Sequence, residues 1–163
     1  MKKLLIVLVC GLLAGCDYTA PLVNTPEIAI DRSVLGLWQR SKENGQTEQL
    51  LVLPLGEREY LVSFPAGSKH AMFARASLFR LAGKTLVQLR WLGTADGNLP
   101  RDNRVFQYAS YAVAGDEITV RLLNSELVRK DLIFKDDLAR AIAANKDDPH
   151  LFKEGMIFTR VGK

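Results

Sequence analysis

The chain has 163 residues, with 22 Lys and Arg against 18 Asp and Glu, and only two cysteines. This near-balance of charge, without a basic cluster interleaved with aromatics, speaks against a nucleic-acid-binding protein. With Cys10 inside an apolar leader and Cys16 at its end, the cysteines offer neither a disulfide framework nor a thiolate metal site.

Lys2 and Lys3 precede an apolar run over 4–13, interrupted only by Gly11, and small residues follow at Ala14 and Gly15. Charge, length and small residues together predict a secretory signal peptide over 1–15. The run is too short for a stable membrane span, which takes roughly 20 residues. Leu13-Ala14-Gly15-Cys16 resembles the lipobox of bacterial lipoproteins. The resemblance implies cleavage before Cys16, a diacylglycerol on its sulfur and a further acyl chain, such as palmitate, on its nitrogen. Two or three chains anchor a protein stably, where one binds only marginally. Asp17 resembles the inner-membrane retention signal of enterobacterial lipoproteins. It implies a lipid-anchored protein of the cell envelope that faces the periplasm from the inner membrane, the outer membrane being the other destination. Without the leader the chain keeps 20 basic and 18 acidic side chains, and its apolar core must hold the fold unaided.

Residues 17–31 carry Pro21 and Pro26 and little periodicity, and read as an extended tether. Its reach is at most about 50 Å, at ~3.3 Å per residue. Ile28 and Ile30 are the residues that would pack along the domain. The domain itself is expected over 32–163, and from Ser33 its grammar is β. Strands are predicted over 35–40 and 46–55, joined at Asn44-Gly45, a strong hairpin signal. Pro54 marks a strand end. Tyr60, Val62 and Phe64 alternate with Leu61 and Ser63, a period-2 pattern. Residues 71–82 are ambiguous: their alanines suit a helix, while the flanking strand rhythm favours a strand. Val87, Leu89 and Trp91 share one face of a strand over 85–92, and 93–103 is the longest turn-rich loop. A hairpin over 104–113 and 117–123 follows. Asp136 is expected to cap a helix through Ala144, which Asp147-Asp148-Pro149 stops, before a final strand over 156–161. The fold class is therefore mainly β: a single antiparallel barrel of about eight strands, with one helix before the last.

Gly36-Leu37-Trp38 on the first strand and Arg160 on the last resemble the arrangement of the lipocalin and calycin superfamily. The wider pattern over 33–161 looks like small lipocalin-like envelope proteins of bacteria without assigned function. It includes the stretch from Phe73, the hairpin from Tyr108 to Val120, and the ending Phe158-x-Arg160. The resemblance implies that Gly36, Trp38 and Arg160 form a structural plug at one end of the barrel. An Arg guanidinium over an indole contributes roughly 0.5–2 kcal/mol.

Catalytic signatures are missing from the sequence: no nucleophile elbow, phosphate loop, zinc-binding helix or dinucleotide fingerprint is present. Ser68-Lys69-His70 falls in a predicted turn, where the three side chains diverge. Asp147, Asp148 and His150 read as a helix stop rather than a metal site. No cofactor is implied, and the chain is not expected to be an enzyme. Tyr60, Phe64, Trp91, Phe106 and Tyr108, with Val62, Val87, Leu89, Ile118 and Val120, are expected to face inward. There they either fill the barrel or line a small ligand site, and their size favours filling. Two functions remain. One is an accessory module that binds another envelope protein through the 93–103 loop or an exposed strand edge. The other is a carrier of a small apolar molecule.

Overall fold

In the computed structural model, which describes residues 17–162, eight antiparallel strands run up and down in chain order and close into a barrel. They are β1 (Gly36–Ser41), β2 (Thr47–Pro54), β3 (Glu59–Phe64), β4 (Met72–Leu81), β5 (Lys84–Thr94), β6 (Phe106–Ala114), β7 (Glu117–Leu122) and β8 (Met156–Arg160). The leader, Cys10 and Cys16 lie outside the described residues. Closure is made where Trp38 pairs with Arg160 and Gln39 with Thr159. Closure gives every strand a neighbour on each side, which leaves little free strand edge to recruit another chain.

Local chemistry sets the order. Residues 42–46 form the first turn, where Gly45 takes φ 78° and the Asn44 side chain accepts the Gln46 N–H. The stretch left ambiguous by its alanines is β4, paired along its length with β5 and over Met72 to Ser77 with β3. It ends in a two-residue turn with positive φ at both Ala82 and Gly83, the twist that suits a tight hairpin. The helix α1 (Lys135–Ala144) lies before β8. Its N-cap is Phe134, without a side-chain capping bond, and the expected cap Asp136 sits instead in the first turn beside Asp137. There both carboxylates face the positive end of the helix dipole.

Two apolar cores result. The first lies inside the barrel and gathers Trp38, Leu50, Val52, Tyr60, Ala76, Leu78, Ile118 and Phe158. The second gathers Phe79, Leu86, Phe106 and Tyr108 with Tyr18, Leu22, Val128, Leu138, Ile142 and Leu151. Register separates them. Leu78 pairs with Val87 and Ala76 with Leu89, all in the inner core or packed on it, whereas the adjacent Phe79–Leu86 pair belongs to the second. Successive residues of a strand face opposite sides of a sheet, so the second core lies on the outside of β4, β5 and β6. Residues 17–23 and the segment around α1 cover it.

This corrects two expectations. Residues 17–31 are not a free tether: Tyr18 is fully buried, and Ala20 and Leu22 are nearly so. Tyr18 exchanges both backbone hydrogen bonds with Phe106, at 3.1 and 3.0 Å. Second, Phe106 and Tyr108 do not line the barrel interior; they face this outer layer. The alternate residues of β6, Gln107, Ala109 and Tyr111, take the inward places, as the Leu89–Gln107 and Val87–Ala109 pairs require. A strand next to a covering layer is apolar on both faces, and alternation then says little about which face is inside.

Candidate functional site

The two ends of the barrel differ. At one end Arg160 lies 4.0 Å above the Trp38 ring, which is completely buried. Its guanidinium donates to the carbonyls of Leu35 (2.7 Å) and Ser33 (2.6 Å), and Trp38 Nε1 donates to Val34 at 2.9 Å. Both side chains thus clamp the 3₁₀ turn Arg32–Val34 over the end. Gly36 has φ 125°, and a Cβ there would sit 3.1 Å from Arg160 Nη1. Gly36, Trp38 and Arg160 are therefore brought together. Asp31 adds a clasp: its N–H donates to Tyr60 Oη at 2.6 Å, and Tyr111 Oη donates to its carboxylate at 3.0 Å. Burial would raise the Asp31 carboxyl, but hydrogen bonds from Ser33 and Tyr111 outweigh it and hold the group below its usual range. Burial and the ionised Asp31 both push the Tyr111 hydroxyl upward.

Along the axis, Phe158 packs edge-to-face on Phe64, 5.8 Å between centroids. Arg40 then lies over both rings, at 5.2 Å from Phe158 and 5.7 Å from Phe64. Glu48, its cross-strand neighbour, accepts from Arg40 at 2.6 Å and pairs with Lys42 at 3.1 Å. Burial would raise the Glu48 carboxyl; the two cations overcome this and lower it. Charge and aromatic surface thus stack toward the open end, where Trp91 also lies and donates to Gly93 O at 3.0 Å. Tyr60 and Phe64 belong to the inner core; Trp91 borders the mouth.

Above the mouth is an open cleft of about 780 Å³, floored by Met72 and Trp91 and rimmed by His70, Asp96, Leu99 and Arg101, together with Asp17 and Lys130. The 93–103 loop supplies much of this rim. His70 Nδ1 lies 3.0 Å from Asp96, and hydrogen bonds from the Thr94 hydroxyl and the His70 ring lower the Asp96 carboxyl. Ser68 Oγ accepts the backbone N–H of His70, a turn contact rather than a nucleophile beside its base. Asp148 likewise accepts the His150 N–H at 2.7 Å, closing the turn after the helix. Gln107 is 8 % exposed, and neither polar atom of its amide meets a protein partner.

A second, shallower cleft of about 450 Å³ adjoins the first, sharing Asp102, Arg104 and Lys130 and adding Thr19 and Ile133. Asp17, which borders the first cleft, is buried 3.2 Å from Lys130 Nζ, a residue common to both. Leu99, Phe134 and Ile133 are the three most exposed large apolar side chains among the described residues, at 71, 66 and 61 %.

No protein-family model matches the chain, and neither a curated protein nor a solved structure matches it.

Sequence reasoning missed the Arg40–Glu48 pair, the Asp31 clasp and the docked N-terminal segment. Tyr18, Ala20 and Leu22 alternate with polar or small residues, a short period-2 signal that the two prolines obscured.

Proposed function

We propose that the chain is a lipid-anchored protein of the bacterial cell envelope, acylated at Cys16 and facing the periplasm, whose barrel is an accessory module that binds another envelope protein. The Leu13-Ala14-Gly15-Cys16 pattern supports the anchor, and the Trp38–Arg160 plug supports a lipocalin-like reading of the barrel. One observation carries the binding role. The barrel axis is occupied by Trp38, Phe158, Phe64 and Arg40, while the larger concavity lies outside it, rimmed by mixed charges from a protruding loop. Interfaces of this kind pair an exposed apolar residue, here Leu99, with a polar rim.

Cross-linking in intact envelopes tests this. The joint change Leu99→Asp and Arg101→Glu alters only exposed loop residues. It should abolish recovery of the cross-linked partner while Cys16 acylation and thermal unfolding stay as in the wild type. Undiminished recovery contradicts the loop as the binding surface.

Gln107 favours a second reading, a carrier of a small molecule. A buried amide left without partners costs about 1–3 kcal/mol, and a ligand with one polar end entering past Trp91 would relieve it. Native mass spectrometry after mild detergent extraction decides between the two. A bound small molecule supports the carrier, and an unladen barrel that takes up no fluorescent lipid contradicts it.

A further inference from the structure

We infer that Ile133 and Phe134 rest in the headgroup layer of the membrane that holds Cys16, so that the domain has one fixed face toward the bilayer. This rests on the acylation proposed above and adds an orientation to it.

Slack is the first consideration. A lipoprotein domain on a 15-residue tether could tumble freely, but here the chain is ordered from its first described residue. Asp17 is buried against Lys130, and Tyr18 is locked to Phe106 by two backbone hydrogen bonds. One peptide unit, about 3.8 Å between Cα atoms, separates Asp17 from Cys16. Whatever surface surrounds Asp17 must therefore lie on the membrane.

That surface is suited to the place. Ile133 borders the same cleft as Thr19 and Lys130, and Phe134 follows it in the chain. Both are more than half exposed. Phe134 also occupies the N-cap of α1 and makes no side-chain capping bond. Ser, Thr, Asp or Asn there would satisfy a free amide. A local rule of helix stability is broken in favour of an exposed aromatic, and such breaks mark sites with another task. Lys130, paired with Asp17, and Arg104, paired with Asp102, border the cleft beside the pair, with Asp131 also in its lining; this mixed charge suits the headgroup level while the apolar side chains sit at the acyl boundary. The 93–103 loop lies on the neighbouring rim, so a partner it binds would be one lying close to the bilayer surface.

The test uses the full-length protein, processed in cells, purified with its acyl chains and reconstituted in vesicles of phosphatidylethanolamine and phosphatidylglycerol. Nitroxide labels are placed singly at Ile133→Cys, Phe134→Cys and, in the turn at the plugged end, Glu57→Cys. We expect the first two to relax more with oxygen than with a water-soluble nickel complex, and the third to do the reverse. The N-terminal peptide is weighed in parallel. Acylated protein with all three labels in the aqueous phase overturns the orientation and leaves the anchor standing. An unacylated Cys16 overturns the anchor, and the orientation with it. Dipolar broadening between labels at Phe134, or shielding seen in intact envelopes but not in vesicles, shows that a second copy or another protein covers the patch; either overturns the proposal.

Discussion

The two apolar cores are built on opposite faces of the same strands, yet they differ in what completes them. The inner one is supplied mainly by the barrel strands, with Val34 of the Arg32–Val34 turn a buried member and Ile28 and Ile30 packed against it, and is sealed by Trp38 under Arg160. The outer one is made of β4, β5 and β6 only in part; Tyr18, Ala20 and Leu22 from the N-terminal segment and Leu138 and Ile142 from α1 finish it. The outer core therefore fastens distant parts of the chain to the wall of the barrel. Gln88 and Tyr108 show how: Gln88 accepts the Leu22 and Val23 N–H groups at 2.7 and 3.0 Å and returns a bond to Val23 O at 2.7 Å. Tyr108 accepts from Leu22 and donates to Ala20. Two side chains thus do for this segment what a neighbouring strand would do. The lesson is that the segment following Cys16 is a structural part of the domain.

The largest expected effect breaks the inner core. Trp38→Ala should cost about 3–5 kcal/mol, as for a buried large aromatic, read from urea unfolding; a near-neutral change contradicts the plug. Tyr18→Ala tests the outer core on the same scale. Its ring is fully buried and its hydroxyl donates to Val128 O at 2.7 Å, so a loss of about 3–5 kcal/mol is expected. A true tether would give less than about 0.5 kcal/mol, as exposed sites do. Both variants should keep one cooperative transition if the cores unfold together.

Tyr111→Phe acts at the plugged end. It removes one of the bonds that hold Asp31 ionised, with a loss of about 1 kcal/mol at neutral pH. The folded-state pKa of Asp31 is depressed, so its contribution is present above the ordinary carboxylate value near ~4 and disappears as pH falls through the lower folded value. The variant should therefore lose less stability than the wild type between pH 7 and pH 3. An unchanged pH dependence contradicts the clasp. The smallest effect has the opposite sign: Phe134→Ser supplies a cap and should stabilise the protein by about 0.5–1 kcal/mol. A destabilised variant would mean that Phe134 packs against the domain in solution.

Much of the barrel was legible because its signals are local. The hairpin turn at Asn44-Gly45, the alternation from Tyr60 to Phe64 and the Ala114-Gly115-Asp116 turn each follow from a few neighbouring residues. The outer layer was not, because it depends on contacts between residues far apart in the chain. Tyr18 meets Val128 across 110 positions, and the short alternation of Tyr18, Ala20 and Leu22 that could have signalled the docking is masked by Pro21 and Pro26. Once the segment is read as free, Phe106 and Tyr108 have no outer surface to cover them and are placed inside. The Arg40–Glu48 pair was hidden for another reason: charged residues on a strand read as solvent-facing, whereas here Arg40 stacks on Phe64 and Phe158 at the open end and Glu48 pairs with it. The polar rim of the mouth was foreseeable as a loop, but its juxtaposition with Asp17 required the closed barrel.

Amide hydrogen exchange at Tyr18 and Phe106, in the mature acylated protein, tests the central claim most directly. Each N–H is the donor in a reciprocal pair. The account predicts that Tyr18 exchanges as slowly as Phe106 and the amides of β5, through global unfolding alone. Exchange of Tyr18 at the rate of an unstructured chain, with Phe106 still protected, would contradict it and restore a free tether between the domain and Cys16.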